Sequence, residues 1–154
     1  MQDMLVIQRA TTDDASRITE HRRLMFTEEA PGDLSKLPES LPLFTTWVQE
    51  RLASGEYIGL MVFDGQTLAA SAGLWKMPFP PGPLNQIPIR AYILNVYTDP
   101  AYRRRGLAKK LVSQLLDEAR TLGLHIVELH ASSAGKPIYE SLGFKATNQM
   151  RIVV

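Results

Sequence analysis

Residues 90–123 switch from one hydrophobic period to another, and that switch limits the folds open to the chain. The stretch RAYILNVYT, residues 90–98, carries the aromatic and β-branched side chains of a strand. Asp99-Pro100 ends it, because proline donates nothing to a sheet ladder. From Leu107 onward, Leu111, Val112, Leu115, Leu116, Ala119 and Leu122 recur at helical spacing, with lysines, Gln114 and Asp117 outside the stripe. Gly123 stands where a C-terminal cap belongs. A strand that feeds an amphipathic helix needs a sheet with helices packed against it.

The remaining segments fit that plan. Leu5, Val6 and Ile7 form a short β-branched run, and Thr11, Thr12, Asp13 and Asp14 supply caps for a helix that turns Ile18, Leu24, Met25 and Phe26 inward. Pro31, Gly32 and Pro38 make residues 28–40 a loop, after which Phe44, Trp47, Val48 and Leu52 restore helical spacing over residues 41–53. Residues 57–63 and 67–75 are two strands joined at Asp64-Gly65, a hairpin signal. Five of the ten prolines fall in residues 76–89, which predicts an irregular loop. A strand over 126–131, a short helix over 137–142 stopped by Gly143, and a last strand over 150–154 complete the order β-α-α-β-β-β-α-β-α-β. The expected class is α/β (α+β), in one domain over residues 1–154.

Charge and cysteine usage narrow the function. With 17 Lys and Arg against 16 Asp and Glu, the net charge of +1 argues against a simple nucleic-acid binder or a membrane-surface protein, so a basic site must be local. The absence of cysteine removes disulfides, thiolate nucleophiles and thiolate metal sites and fits a reducing compartment. Residues 1–11 lack the pattern of a signal peptide, and no stretch approaches the roughly 20 apolar residues of a membrane span. A cytoplasmic, soluble protein is the expectation. His21, His125 and His130 do not have the spacing of a metal site.

The local basic site is Arg103, Arg104 and Arg105 against Gly106. A helix start exposes unpaired amides and the positive end of the helix dipole, Gly106 and Ala108 let a ligand come close, and guanidinium forks suit phosphate oxygens. A phosphate ester is therefore expected. Two nucleotide motifs fail: there is no Gly-x-Gly-x-x-Gly, and Gly135-Lys136 lacks a P-loop because His130 holds the earlier glycine position and Pro137 the Ser/Thr position.

Arg103-x-x-Gly106-x-Ala108, following AYILNVYTDP, resembles the Gln/Arg-x-x-Gly-x-Gly/Ala motif of the GNAT superfamily of acyl-CoA-dependent N-acyltransferases. LHASSAGKPIYESLGF, residues 129–144, is similar to that family's last strand and helix with its Tyr-x-x-x-Gly-Phe ending. The resemblance implies a mixed, mostly antiparallel sheet of six to seven strands flanked by about four helices, with acetyl-CoA as acyl donor. Its pyrophosphate would sit on Arg103, Arg104, Arg105, Gly106, Leu107, Ala108 and Lys109. The backbone of Val96, Tyr97 and Thr98 would pair with the pantetheine amides as an added strand does, and one amide there would meet the developing oxyanion. Tyr139 would protonate the departing thiolate, being a phenol still protonated at neutral pH. Ser132 occupies the place where many members have an asparagine that touches pantetheine.

The base departs from the family pattern, since no residue of 90–98 is acidic. Asn95 can hold a water or pair across the sheet, and Glu128 and His130, two apart on one strand, share a face and are the candidates for the base. Glu28 and Glu29 lie where the family meets its acceptor, a small-molecule or peptide amine. The implied activity is direct acetyl transfer without an acyl-enzyme. Two other readings stay open, a catalytically weak CoA sensor or partner-docking module and an RNA-associated acetyltransferase. Homodimers through exposed sheet ends are a further expectation of the resemblance.

Overall fold

In the computed structural model, which describes residues 4–154, the chain runs β1 (Leu5–Arg9), α1 (Ala15–Glu29), α2 (Leu37–Ser54), β2 (Tyr57–Asp64), β3 (Thr67–Pro78), β4 (Ile89–Thr98), α3 (Leu107–Thr121), β5 (Val127–Leu129) and α4 (Lys136–Ser141). Short 3-10 turns lie at Thr12–Asp14 and Pro100–Tyr102. The part of the N-terminal reading that falls on residues 1–3 lies outside the described residues.

Five strands form one sheet in the order β1-β2-β3-β4-β5, antiparallel up to β4 and parallel between β4 and β5. Among the described residues four helices flank it, as expected, but the sheet has five strands rather than six to seven. Residues 150–154 form no strand, and Met150, Ile152, Val153 and Val154 stand exposed. β5 pairs over three residues only, too short a template for a further strand. Arg151 is drawn off instead to His130 Nε2, at 2.6 Å.

Proline misplaced two boundaries. α2 begins at Leu37, because Pro38 falls in the first turn, where a missing N–H costs nothing. Residues 76–89 are also more ordered than their prolines suggest. β3 runs to Pro78, β4 begins at Ile89, and the buried Asn85 pins the turn between them, donating to the carbonyls of Ile87 and Ile89 at 2.7 and 2.8 Å and accepting from the His125 N–H at 3.1 Å.

The period of 2 along the central strands sorts side chains onto two faces. Ala70, Ala72 and Leu74 of β3 join Ala91 and Ile93 of β4 against Leu107, Leu111, Val112, Leu115 and Ala119 of α3. The opposite face carries Tyr57 and Trp75 against Ala15, Ile18, Trp47 and Val48 of α1 and α2. Gly73 belongs to this second face, because a Cβ there would stand 1.9 Å from the Tyr57 hydroxyl. The Tyr57 ring thus occupies the volume that a side chain at position 73 would need.

Gly73→Ala should therefore lower stability by about 1–3 kcal/mol, the usual cost of overpacking. A urea midpoint unchanged from wild type would show that Tyr57 yields without cost.

Candidate active site

The sheet opens in the middle. β4 and β5 pair only through Ala91↔Val127, Tyr92↔Glu128 and Ile93↔Leu129. Among the described residues, no strand pairs with Leu94, Asn95, Val96, Tyr97 and Thr98 on that side. A bulge lies at the point of opening. Ser71 pairs with Tyr97 and Gly73 with Leu94, so Asn95 and Val96 together face the single residue Ala72. Asn95 takes the left-handed φ of 56° that asparagine tolerates better than most side chains. It is buried, accepts from Arg22 Nη1 at 2.6 Å and donates to Tyr57 Oη at 3.1 Å.

Beyond β4 the chain turns through Arg104, at φ 64°, and Gly106, at φ 73°, into α3. The first helical bond runs from the Lys110 N–H to Gly106 O at 3.0 Å, leaving the amides of Leu107, Ala108 and Lys109 without an intrahelical acceptor. Among the described residues no side chain caps this start. The three arginines have different surroundings. Arg103 donates to Glu28 Oε2 at 2.5 Å and to Thr98 O at 2.9 Å, and Tyr97 Oη donates to the other Glu28 oxygen at 2.6 Å. Glu28 thus ties α1 to the end of β4, and its contacts with Tyr97 and Arg103 hold its carboxyl below the ordinary range. Arg105 lies 5.2 Å from the Tyr102 ring centre, whereas Arg104 is exposed and makes no ion pair among the described residues.

On the α3 side, α4 carries Tyr139, buried against Phe144 with ring centres 6.0 Å apart. Gly135 makes room for it, since a Cβ there would stand 2.9 Å from the ring. Ser132 shapes the same turn by accepting the Gly135 N–H at 3.1 Å. The chain has five tyrosines. The hydroxyls of Tyr57, Tyr92, Tyr97 and Tyr102 are bonded to Asn95, His130, Glu28 and Asp64 respectively. Only the Tyr139 hydroxyl lacks a partner among the described residues. Desolvation, with a contribution from Glu29, pushes its pKa up to about 12. Glu29 itself is raised above the ordinary carboxyl range, by desolvation first and then by Glu28.

The two base candidates separate on the opposite side. Glu128 is bound to Arg90 at 2.8 Å, a half-buried pair that occupies its carboxylate. His130 Nδ1 is hydrogen-bonded to the Tyr92 hydroxyl, and Nε2 accepts from Arg151. With Nε2 accepting, Nδ1 carries the proton and donates to Tyr92. Desolvation, and then the charge of Arg151, lower the His130 pKa, so the imidazole is neutral at pH 7. Tyr92, Arg22 and Arg151 escaped the sequence reading. All three depend on tertiary contacts that no neighbouring residue in the sequence announces.

Chemically, the arrangement offers an anion site of backbone amides, an open strand edge able to bind an extended amide chain, an uncommitted phenol and a neutral imidazole. Among the described residues no group of three His, Asp or Glu could hold a metal ion, and no helix is long and apolar enough to cross a membrane.

The fold recurs among known proteins. A GCN5-related N-acetyltransferase from Ralstonia eutropha JMP134 superposes with a TM-score of 0.91 at 31% identity, over 97% of this chain and 98% of that one. A predicted acetyltransferase from Clostridium acetobutylicum, solved with acetyl-CoA, has the same fold, with a TM-score of 0.90 at 24% identity over 98% and 96% of the two chains. Glucosamine 6-phosphate N-acetyltransferase of Trypanosoma brucei brucei is 42% identical over 62 residues, which are 40% of this chain and 42% of that protein. The match to this curated relative therefore spans about two fifths of its length. The profile of the Acetyltransferase (GNAT) family matches residues 17–144, and the chain belongs to that family of N-acetyltransferases.

Proposed function

We propose that the protein transfers an acetyl group from acetyl-CoA directly to an amine, with donor and acceptor meeting at the open edge of β4. The opening of the sheet beyond Ile93 carries this reading: the uncapped start of α3 follows the bare edge in the chain, and the uncommitted Tyr139 belongs to the same core as Ile93. Acetyl-CoA supplies a thioester carbonyl. The amides of Leu107, Ala108 and Lys109, with Arg104 and Arg105, hold its pyrophosphate. The backbone of Val96, Tyr97 and Thr98 extends the sheet onto the pantetheine arm and places an N–H against the oxygen that gains charge.

The chain's two proton-transfer groups follow from their surroundings. His130, neutral and fixed by Tyr92, takes the proton that the acceptor ammonium must lose at Nε2, directly or through a water, once the Arg151 guanidinium has moved off that nitrogen. The amine nitrogen bonds to the carbonyl carbon, the carbon–sulfur bond breaks, and Tyr139 gives its proton to the leaving sulfur. Glu128 is not needed for either step, since its carboxylate is held by Arg90. Arg103 and Glu28 serve as a clamp between α1 and β4, whereas Glu29 offers negative charge toward an ammonium. Ser132 supports the turn beneath Tyr139. Relatives acting on sugar amines support an amine acceptor, glucosamine 6-phosphate being the one named.

Acetyl-CoA at 100 times its Kd should stabilise the protein by about 2.7 kcal/mol, read as a rise in thermal midpoint. No shift at saturating concentration removes the donor site. Tyr139→Phe should lower kcat by about a hundredfold or more, the usual contribution of a general acid, while changing acetyl-CoA affinity little; an undiminished kcat would dismiss Tyr139 as the acid. Because His130 acts as the unprotonated base, kcat/KM should fall as pH drops through its lowered pKa. Arg151→Ala should move that limb upward toward 6.5 without reaching it, since desolvation is the larger cause and remains. An acid limb that stays in place would break the link between Arg151 and the base.

A further inference from the structure

Four arginines are partly buried, and three of them have a carboxylate within reach: Arg23 with Glu20 at 2.6 Å, Arg51 with Glu56 and Arg90 with Glu128, both at 2.8 Å. Arg22 has none among the described residues. Its guanidinium carbon lies 4.8 Å from the centre of the Phe26 ring and 4.4 Å from that of Phe44. Among the described residues only Nη1 is committed, to Asn95 Oδ1. Desolvation lowers its pKa, yet an arginine stays charged at any working pH. Two aromatic faces attract the cation through their quadrupoles but strip water from it and offer its N–H groups no strong acceptor, and one neutral amide does not satisfy the rest. Keeping such a charge half-buried and without a counterion is costly unless a ligand brings one.

Its position says which ligand. Asn95 is the bulge residue at which β4 parts from β5, so Arg22 reaches the point on the α1 side where the attacking amine must enter. Aromatic rings continue from it along the same face, Phe44 to Trp47 at 5.8 Å, Trp47 to Trp75 at 5.2 Å, Trp75 to Tyr92 at 6.4 Å and Tyr92 to His130 at 5.6 Å. A cation thus stands at one end of this row and the neutral base at the other.

We infer that Arg22 is the anion anchor of the acceptor site, and that the acceptor is a small amine bearing a carboxylate or phosphate that pairs with this guanidinium beside the Asn95 bulge. This rests on the acetyl transfer proposed above and narrows its acceptor class. Arg22 binds the anionic group through the donors left over from Asn95, and the aromatic row accommodates an apolar remainder. Neutral amines leave the cation unpaired.

The test measures acetyl transfer to matched pairs, each of the twenty L-amino acids against its carboxamide and glucosamine 6-phosphate against glucosamine. A charge-assisted contact predicts that the anionic member of at least one pair is preferred by about tenfold or more in kcat/KM. Arg22→Gln should reduce that preference to about twofold or less, and Arg22→Lys should retain part of it, since the charge is kept and the fork is lost. The ratio is taken within one preparation, so it does not depend on the fraction that folds. Preference among the amino-acid pairs identifies a carboxylate, and preference in the sugar pair a phosphate. Equal rates in every pair, or a preference that survives Arg22→Gln, overturn the anchor. If no acceptor is turned over although acetyl-CoA binds, the transfer reaction fails. The anchor is then read from thermal shifts of the CoA-bound protein with the same pairs. Stabilisation by anionic members that is lost in Arg22→Gln supports it, and absence of any such stabilisation overturns it.

Discussion

One extra residue in β4 organises the site. Because Asn95 and Val96 together oppose Ala72, the alternation of side chains slips by one, and Leu94 and Asn95 both turn to the face covered by α1 and α2. Without the slip, Asn95 would point toward the apolar core under α3, where its amide would have no partner. With it, the amide joins Tyr57 to Arg22, and Tyr57 itself depends on the missing side chain of Gly73. The tyrosine hydroxyl is pushed up to about 12 by burial, so it stays a neutral member of this chain. A bulge also bends its strand and raises the local twist, which accounts for a β4 edge that leaves β5 immediately before it.

The sequence was informative where a local rule decides the outcome. The stripe from Leu107 to Ala119 is buried, Leu116 only in part, whereas its last member Leu122 is exposed; the Gly123 cap forms as expected, with the Leu124 and Gly123 amides bonded back to Ala119 and Arg120. The Asp64-Gly65 hairpin pairs its strands from Thr67 onward. Local rules failed where one residue has two meanings. Proline ends a strand or begins a helix, so the start of α2 could not be placed from Pro38 alone. The apolar residues at 150–154 read as a strand, yet a strand needs a neighbour, and β5 gives too short an edge. The uncapped helix start at Gly106 was legible, because a run of free amides at a helix start is a matter of consecutive residues. Arg22 and Asn95 are 73 positions apart, and nothing in either neighbourhood announces the contact.

The three arginines that dominate the sequence turn out to be unequal. Arg103 and Glu28 neutralise each other across α1 and β4, which gives that corner its geometry without adding net charge. An exposed pair of this kind contributes little to stability, so its value is positional: it holds Tyr97, and with it the end of the bare strand edge. Positive potential at α3 also comes from the exposed Arg104 and the unpaired amides, concentrated in one turn of a chain whose overall charge is only +1.

The proposed reaction asks for a group that has kept its proton beside the leaving sulfur and one that has lost it beside the amine. Desolvation, the main cause at both Tyr139 and His130, acts on them in opposite directions, because it penalises the charged form of each. The phenol is held protonated and the imidazole unprotonated, so both are neutral at the same pH. They also belong to opposite faces. Tyr139 packs with the α3 core, and His130 is bonded to Tyr92, which meets Trp75 on the other side. A carbonyl lying along the β4 edge would have its leaving group toward one face and its attacking amine toward the other. Neither group then needs a carboxylate partner to set its protonation, which explains how the site can dispense with an acidic residue on β4 itself.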